Sequence, residues 1–146
     1  MLNIMSKMAG CALMLALCAT AAEKKIVTPK DFPAGRPFSA GILDGDTLYV
    51  SGQTGADFKT GKMPDNFDEE VRQCLNNVGS ILQAGGMDFS DVVAVQVYLT
   101  DIDLFQRMNA VYLQVFKEPR PTRTTVGVAK LAGAGAHVEI TVTARK

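Results

Sequence analysis

The last strand-like segment of the chain constrains its fold more than any other feature. From residue 137 to 144, apolar and polar side chains alternate without a break: one set is Val138, Ile140, Val142 and Ala144, and the other is His137, Glu139, Thr141 and Thr143. Successive side chains of a β-strand point to opposite faces, so this pattern predicts a strand with one face on a core. Glu139 then points away from that core.

An arginine opens another strand-like segment shortly before this one. Arg123 follows a turn proline and starts the segment 123–129, in which we take Val126 to face the core. This parity places Arg123 on the same face as Glu139. If the two strands pair around their Gly/Ala loop, the guanidinium and the carboxylate lie within one or two cross-strand steps, since strands are roughly 5 Å apart.

Such a pair has two readings. A guanidinium beside an acid can bind a small carboxylate and leave a proton-transfer group next to it. Most neighbouring Arg and Glu residues on strands, however, are surface ion pairs without a chemical role. The spacing alone leaves both open.

The remaining elements alternate between strands and amphipathic helices. Strands are expected at residues 26–27, 38–43, 47–51 and 92–99. The first helix has an apolar stripe formed by Phe67, Val71, Cys74, Leu75, Val78, Ile81 and Leu82, and the second one formed by Ile102, Phe105, Met108, Tyr112, Val115 and Phe116. Both stripes have the helical period. The predicted order is β-β-β-α-β-α-β-β, an α+β domain with its two helices on one face of a mixed sheet.

The strand at residues 92–99 is apolar at nearly every position. A strand of this kind has both faces buried, and two helices cover only one face of the sheet. The simplest cover for the second face is another copy of the chain.

The N-terminal segment has the pattern of a secretory signal. Lys7 precedes an apolar run from Met8 to Cys18, and small residues follow. The run is shorter than the about 20 residues that a membrane-spanning helix needs. We therefore expect a cleaved signal peptide over residues 1–21 and an exported domain over 22–146, periplasmic or secreted and without membrane contact.

Charge and side-chain chemistry narrow the function classes. Lys and Arg total 15 and so do Asp and Glu, so no net positive field favours a nucleic-acid partner. Cys74 is the one cysteine after the predicted signal, and its place on the helical stripe favours core packing over a reactive thiol. With a single histidine, His137, which we take as a strand-edge residue, no metal-ligand cluster is predicted. We expect neither a metal nor a cofactor.

Several short motifs occur in a fixed order along the chain. They are Pro37-Phe38, the Leu-Tyr-Val-Ser-Gly-Gln run that ends at Gln53, Gly85-Gly86-Met87, the Val-Gln-Val-Tyr-Leu run that ends at Leu99, Met108-Asn109-Ala110-Val111-Tyr112, and Pro121-Thr122-Arg123. Together they resemble the RidA/YjgF family of reactive-intermediate deaminases over essentially the whole chain after residue 25. The resemblance implies a chorismate-mutase-like fold, a homotrimer whose sheets face a central barrel, and a site in the cleft between neighbouring subunits.

The resemblance also implies site residues. Arg123 would hold the substrate carboxylate, and Glu139 would assist proton transfer or position water. Further contacts would come from Phe38, Ser51, Gly52, Asn109 and Thr125. Asn109 has the alternative of a hydrogen bond within its helix, and Ser51-Gly52 that of a simple turn.

Two positions depart from the family pattern. Phe38 stands where many deaminases of the family have tyrosine, and Thr125 stands where bacterial members commonly have cysteine. The resemblance implies hydrolysis of 2-imino or enamino acids to 2-keto acids and ammonia, as in 2-iminobutanoate/2-iminopropanoate deaminases. A non-catalytic sensor of small carboxylates or a holdase-like protein is the alternative. RNA cleavage ranks third because the chain is neutral and predicted to be exported.

Overall fold

The structure is a computed structural model that describes residues 23–146. The predicted signal peptide lies outside the described residues. Six strands and two helices follow in the order β1 (Lys25–Val27), β2 (Gly41–Asp44), β3 (Thr47–Gln53), α1 (Phe67–Ala84), β4 (Val92–Leu99), α2 (Phe105–Val115), β5 (Thr122–Gly127) and β6 (Val138–Arg145). The predicted order of elements is confirmed.

All six strands form one mixed sheet in the order β1-β2-β3-β6-β4-β5. The pair β4 and β5 is parallel, because the chain returns through α2 between them, and the other neighbours are antiparallel. Both helices pack on the same face of this sheet, as predicted. None of the helices in residues 23–146 is long and apolar enough to cross a membrane.

The core lies between the helices and one face of the sheet. Helix α1 is capped at its N-terminus by Asn66, whose side chain accepts hydrogen bonds from the backbone N–H groups of Asp68 and Glu69. It ends before Gly85 and Gly86, and the latter has the positive φ of 73° that glycine adopts without strain. The predicted apolar stripe of α1 is buried throughout, Cys74 included.

The pairing proposed for the last two strands is wrong. Strand β6 does not form a hairpin with β5, because β4 lies between them. The ten residues from Val128 to His137 are also far more than the two to five that usually close a hairpin. A parallel β4–α2–β5 unit, followed by a long return to the centre of the sheet, is the arrangement that forms instead.

The prediction that Arg123 and Glu139 lie on the same face of the sheet is also wrong within one chain. Arg123 pairs with the buried Val95 and therefore points to the helix-covered face. Glu139 pairs with Tyr98, which alternates with the buried residues of β4 and points to the open face. The prediction assumed that Val126 faces the core, but this residue of the edge strand β5 is exposed and does not belong to the core.

The second helix starts later than its apolar stripe suggested. Ile102 lies in a single turn of 3-10 helix, Ile102–Leu104, and is largely exposed, so its predicted inward position is wrong. Met108, Tyr112 and Phe116 are buried as predicted.

The face of the sheet opposite the helices carries apolar side chains. Ile26, Tyr49 and Val126 are exposed on it, and each alternates along its strand with residues of the opposite face. One face of the sheet is thus covered by helices and the other is an uncovered, partly apolar surface. We call it the open face.

Candidate functional site

A pocket of about 490 Å³ lies where β3 ends and β6 begins. Four of the predicted site residues line it, namely Phe38, Ser51, Gly52 and Glu139. These four residues come from three separate segments, and the fold brings them together in one pocket.

The backbone on one side of this pocket is formed by a β-bulge. Along β3, Val50 pairs with Val142 and Gln53 pairs with Ile140, so β3 holds one more residue than β6 over this stretch. Ser51-Gly52 is therefore a bulge within a strand and not a simple turn. The Ser51 hydroxyl donates a hydrogen bond to the carbonyl of Ser39 at 2.7 Å, and this bond ties the bulge to the segment before β2.

Glu139 lies directly against the glycine of this bulge. A Cβ atom at residue 52 would overlap Oε1 of Glu139, so only glycine leaves room for the carboxyl group in this position. Within residues 23–146, no ion pair involves Glu139. Its carboxyl group is half-buried and faces the pocket, where it can exchange a proton with a bound molecule.

The start of β6 is anchored by Glu70, which sequence reasoning had missed. This residue of α1 is 1% exposed, and its Oε1 accepts hydrogen bonds from the backbone N–H groups of His137 at 2.7 Å and Val138 at 3.2 Å. The Nδ1 atom of His137 lies 2.9 Å from Oε2 of Glu70. The signal available in the sequence was the position of Glu70 on the apolar stripe of the helix, at helical spacing from Phe67 and Cys74.

Three phenylalanine rings form one wall of the pocket. Phe32 packs edge-on against Phe58, with ring centroids 5.3 Å apart, and against Phe38, with centroids 6.4 Å apart. Phe32 and Phe58 were not predicted as site residues. Both are apolar residues in loop segments rich in polar ones, which was the signal that sequence reasoning could have used.

A second group of predicted site residues lies at the β5 edge of the sheet. The guanidinium of Arg123 stands over the ring of Tyr112, 4.5 Å from its centroid, and 5.6 Å from the centroid of Phe105. Asn109 lies between these two rings in sequence, at positions i, i+4 and i+7 of α2, and so shares their side of the helix. No ion pair within residues 23–146 involves Arg123.

Two buried hydroxyl groups near Arg123 have no hydrogen-bond partner in the described part of the chain. They are the hydroxyls of Tyr112 and Thr125. Burial raises the pKa of Tyr112, and the positive charge of Arg123 acts in the opposite direction. Buried polar groups are normally paired, so these two hydroxyls, beside a guanidinium that makes no ion pair within residues 23–146, indicate a place for a polar ligand or partner.

The two groups of site residues do not meet in one chain. Arg123, Asn109 and Thr125 belong to the helix side at the β5 edge, whereas Glu139 belongs to the open face, two strands further in. A ligand bound by both Arg123 and Glu139 must therefore contact two copies of the chain.

The described residues contain neither a cluster of metal ligands nor an exposed thiol. Among residues 23–146, no three His, Cys, Asp or Glu side chains are grouped so that they could hold a metal ion. The thiol of Cys74 is buried, which raises its pKa, and it donates to the carbonyl oxygen of Gln53 at 3.0 Å. Cys74 is thus a core residue, as predicted.

Comparison with known proteins gives consistent matches over the described domain. The family model described as endoribonuclease L-PSP matches residues 28–146. A 2-iminobutanoate/2-iminopropanoate deaminase from Bos taurus is 41% identical over 119 residues, which cover 80% of this chain and 86% of that protein. The crystal structure of RidA from an Antarctic Psychrobacter has a TM-score of 0.78 at 32% identity and covers 84% of this chain and 100% of its own. That of E. coli TdcF with bound serine has a TM-score of 0.78 at 32% identity and covers 84% of this chain and 98% of its own.

Proposed function

This chain belongs to the RidA/YjgF family, and we propose that it hydrolyses reactive 2-imino or enamino acids to 2-keto acids and ammonia in a cleft between subunits. The observation that carries the proposal is the Glu139 carboxyl group, held over Gly52 at the end of a pocket large enough for a small organic acid. A relative named for this reaction at 41% identity supports it. Serine bound to TdcF supports an amino-acid-like ligand on this fold.

The reaction needs little from the protein beyond binding and proton transfer. Water adds its oxygen to the carbon of the C=N bond while the nitrogen gains a proton. The C–N bond of the resulting carbinolamine then breaks, ammonia leaves, and the hydroxyl proton is lost to give the C=O group. An enamino acid first gains a proton on carbon to become the imine. Glu139 takes and returns these protons, a role that suits a carboxyl group facing a pocket.

Arg123 binds the carboxylate of the substrate. Its guanidinium offers two parallel N–H donors to a carboxylate, and its ring contacts with Tyr112 and Phe105 hold it in place before ligand arrives. Because Arg123 and Glu139 lie on opposite faces of one chain, we place the site between Arg123 of one copy and Glu139 of its neighbour in a homotrimer.

A mixing experiment tests both the reaction and the shared site. We expect Arg123→Ala and Glu139→Gln to lower imine hydrolysis by at least about 100-fold each, every 1.36 kcal/mol of lost transition-state stabilisation being tenfold. When the two inactive variants are unfolded and refolded together, hybrid oligomers contain interfaces where the intact Arg123 meets the intact Glu139. If assembly is random, about one site in four is then complete, and that share of activity returns.

Controls separate the outcomes of this test. Each variant refolded alone should stay inactive, and size-exclusion chromatography should show that its assembly is unchanged. Inactive singles without recovery on mixing would contradict a site shared between subunits. Full turnover in folded Arg123→Ala would overturn the deaminase assignment at this site.

A non-catalytic binder of small carboxylates is the second candidate. Phe38 favours it, because a phenyl ring offers no hydroxyl to the substrate or to water. Such a protein would be stabilised by 2-keto acids in thermal unfolding without releasing ammonia from imines.

A further inference from the structure

The Phe32–Phe38–Phe58 wall gives the pocket a selective side. On the basis of the proposed function, we infer that this site prefers 2-imino acids with a bulky apolar side chain, aromatic ones above all, over the three-carbon imine derived from alanine. The wall lies in the same pocket as Glu139, so a substrate that reacts at Glu139 directs its side chain toward these rings.

The geometry of the wall suits another aromatic ring. Phe32 contacts both neighbours nearly at right angles, at 73° to Phe38 and 84° to Phe58. This edge-to-face arrangement is the one that aromatic groups prefer, and it leaves ring surface available to a further ring. Phe38 remains 49% exposed. It directly precedes Ser39, whose carbonyl accepts the hydrogen bond from Ser51 of the bulge.

The size of the pocket points in the same direction. Its volume of about 490 Å³ lies within the range of pockets that hold drug-sized ligands, about 300 to 1,000 Å³. A three-carbon imino acid would leave most of that space to water. A phenyl or branched side chain occupies more of it and can cover the exposed ring of Phe38.

The charged groups around the pocket disfavour a cationic side chain. The Asp57 carboxylate accepts hydrogen bonds from the backbone N–H groups of Lys59 and Thr60 and from the Thr60 hydroxyl, so it serves its own loop. Arg36 lines the pocket and would repel a cationic side chain. Among the described residues that line the pocket, the three rings of the wall are then the largest apolar side chains available to a substrate.

Competition between two imines tests the inference. Imines generated by an amino-acid oxidase from phenylalanine and from alanine are compared by kcat/KM, with semicarbazide trapping the imine that escapes hydrolysis. We expect the wild-type protein to favour the phenylalanine-derived imine by at least about tenfold, since even one methylene in an apolar pocket is worth about 10- to 200-fold. Phe58→Ala should lower this preference by about tenfold, because it removes ring surface that the larger side chain contacts.

Phe89 supplies a matched control. It packs edge-on against Phe116, with centroids 5.2 Å apart at 84°, which is nearly the geometry of Phe32 and Phe58, but it does not line the pocket. Phe89→Ala should keep the preference even if it lowers stability, and Phe58→Leu provides a milder variant if Phe58→Ala does not fold. Equal rates for the two imines, or a preference that survives in folded Phe58→Leu and Phe58→Ala, would overturn the inference and leave the proposed function standing. If neither imine is hydrolysed, the proposed function itself falls.

Discussion

Glu70 is the residue whose role is clearest from its contacts. It is fully buried, and one of its carboxyl oxygens, Oε1, accepts hydrogen bonds from the backbone N–H groups of His137 and Val138, just before Glu139. Gly55 packs so closely against Glu70 that a Cβ there would find no room. Glu70 therefore joins α1, the loop after β3 and the strand that carries Glu139.

Removing this acid should destabilise the protein strongly. Glu70→Ala leaves two N–H groups without their acceptor, and an unsatisfied buried group costs about 1 to 3 kcal/mol, so we expect the free energy of unfolding to fall by about 2 to 4 kcal/mol. Glu70→Gln keeps one acceptor oxygen and should cost less. Urea unfolding measures both values.

The neighbouring Glu69 is the control for this change. Its side chain is exposed and pairs with Arg72, and surface pairs of this kind contribute about 0 to 1 kcal/mol. His137→Ala should likewise cost little, because that side chain is 55% exposed. A loss for Glu70→Ala no larger than for Glu69→Ala would show that the anchor does not stabilise β6.

At the scale of elements, the bulge of β3 decides where Glu139 stands. The extra residue at Ser51-Gly52 brings a glycine under the Glu139 carboxyl group, and no larger residue fits there. The atom in conflict is the end of a flexible side chain. A larger residue would therefore displace Glu139 without unfolding the strand.

Gly52→Ala should accordingly act through Glu139. General acid–base groups contribute about 10²- to 10⁴-fold to rate, so we expect kcat to fall by at least about 100-fold, with the fold retained by circular dichroism. In a double-mutant cycle, Gly52→Ala should add little to the loss already caused by Glu139→Gln. Additive losses would instead indicate that Gly52 contributes by another route.

At the scale of the molecule, the open face is the feature that needs an explanation. A sheet with helices on one side only, and with Ile26, Tyr49 and Val126 exposed on the other, presents an apolar surface of the kind that mediates association. We propose that copies of the chain cover it in the trimer that also completes the site.

An acidic residue on the open face should therefore block both assembly and activity. Tyr49 is 53% exposed there, and Tyr49→Asp would bury a charge between subunits, so we expect a monomer by light scattering and no imine hydrolysis. A wild-type protein that is monomeric at micromolar concentration would contradict the proposal.

Most of the local structure could be predicted from the sequence, because periodicity and end signals act within one element. The stripe of α1 and its glycine stop, the limits of β4, and the alternation in β6 that turns Glu139 away from the core are confirmed. The family resemblance and its list of motifs also came from the sequence alone.

Only the tertiary structure decided what lies beside what. Strand β4 lies between β5 and β6 because it pairs with β5 through the parallel β4–α2–β5 unit on one edge and with β6 on the other. The alternation of side chains along a single strand does not reveal its neighbours. The alternation along β5 likewise did not show which of its two faces meets the core, and Arg123 lies on the helix side against Tyr112. Side-chain alternation reports two faces but not which one the helices cover, and that choice is made by packing across the whole sheet.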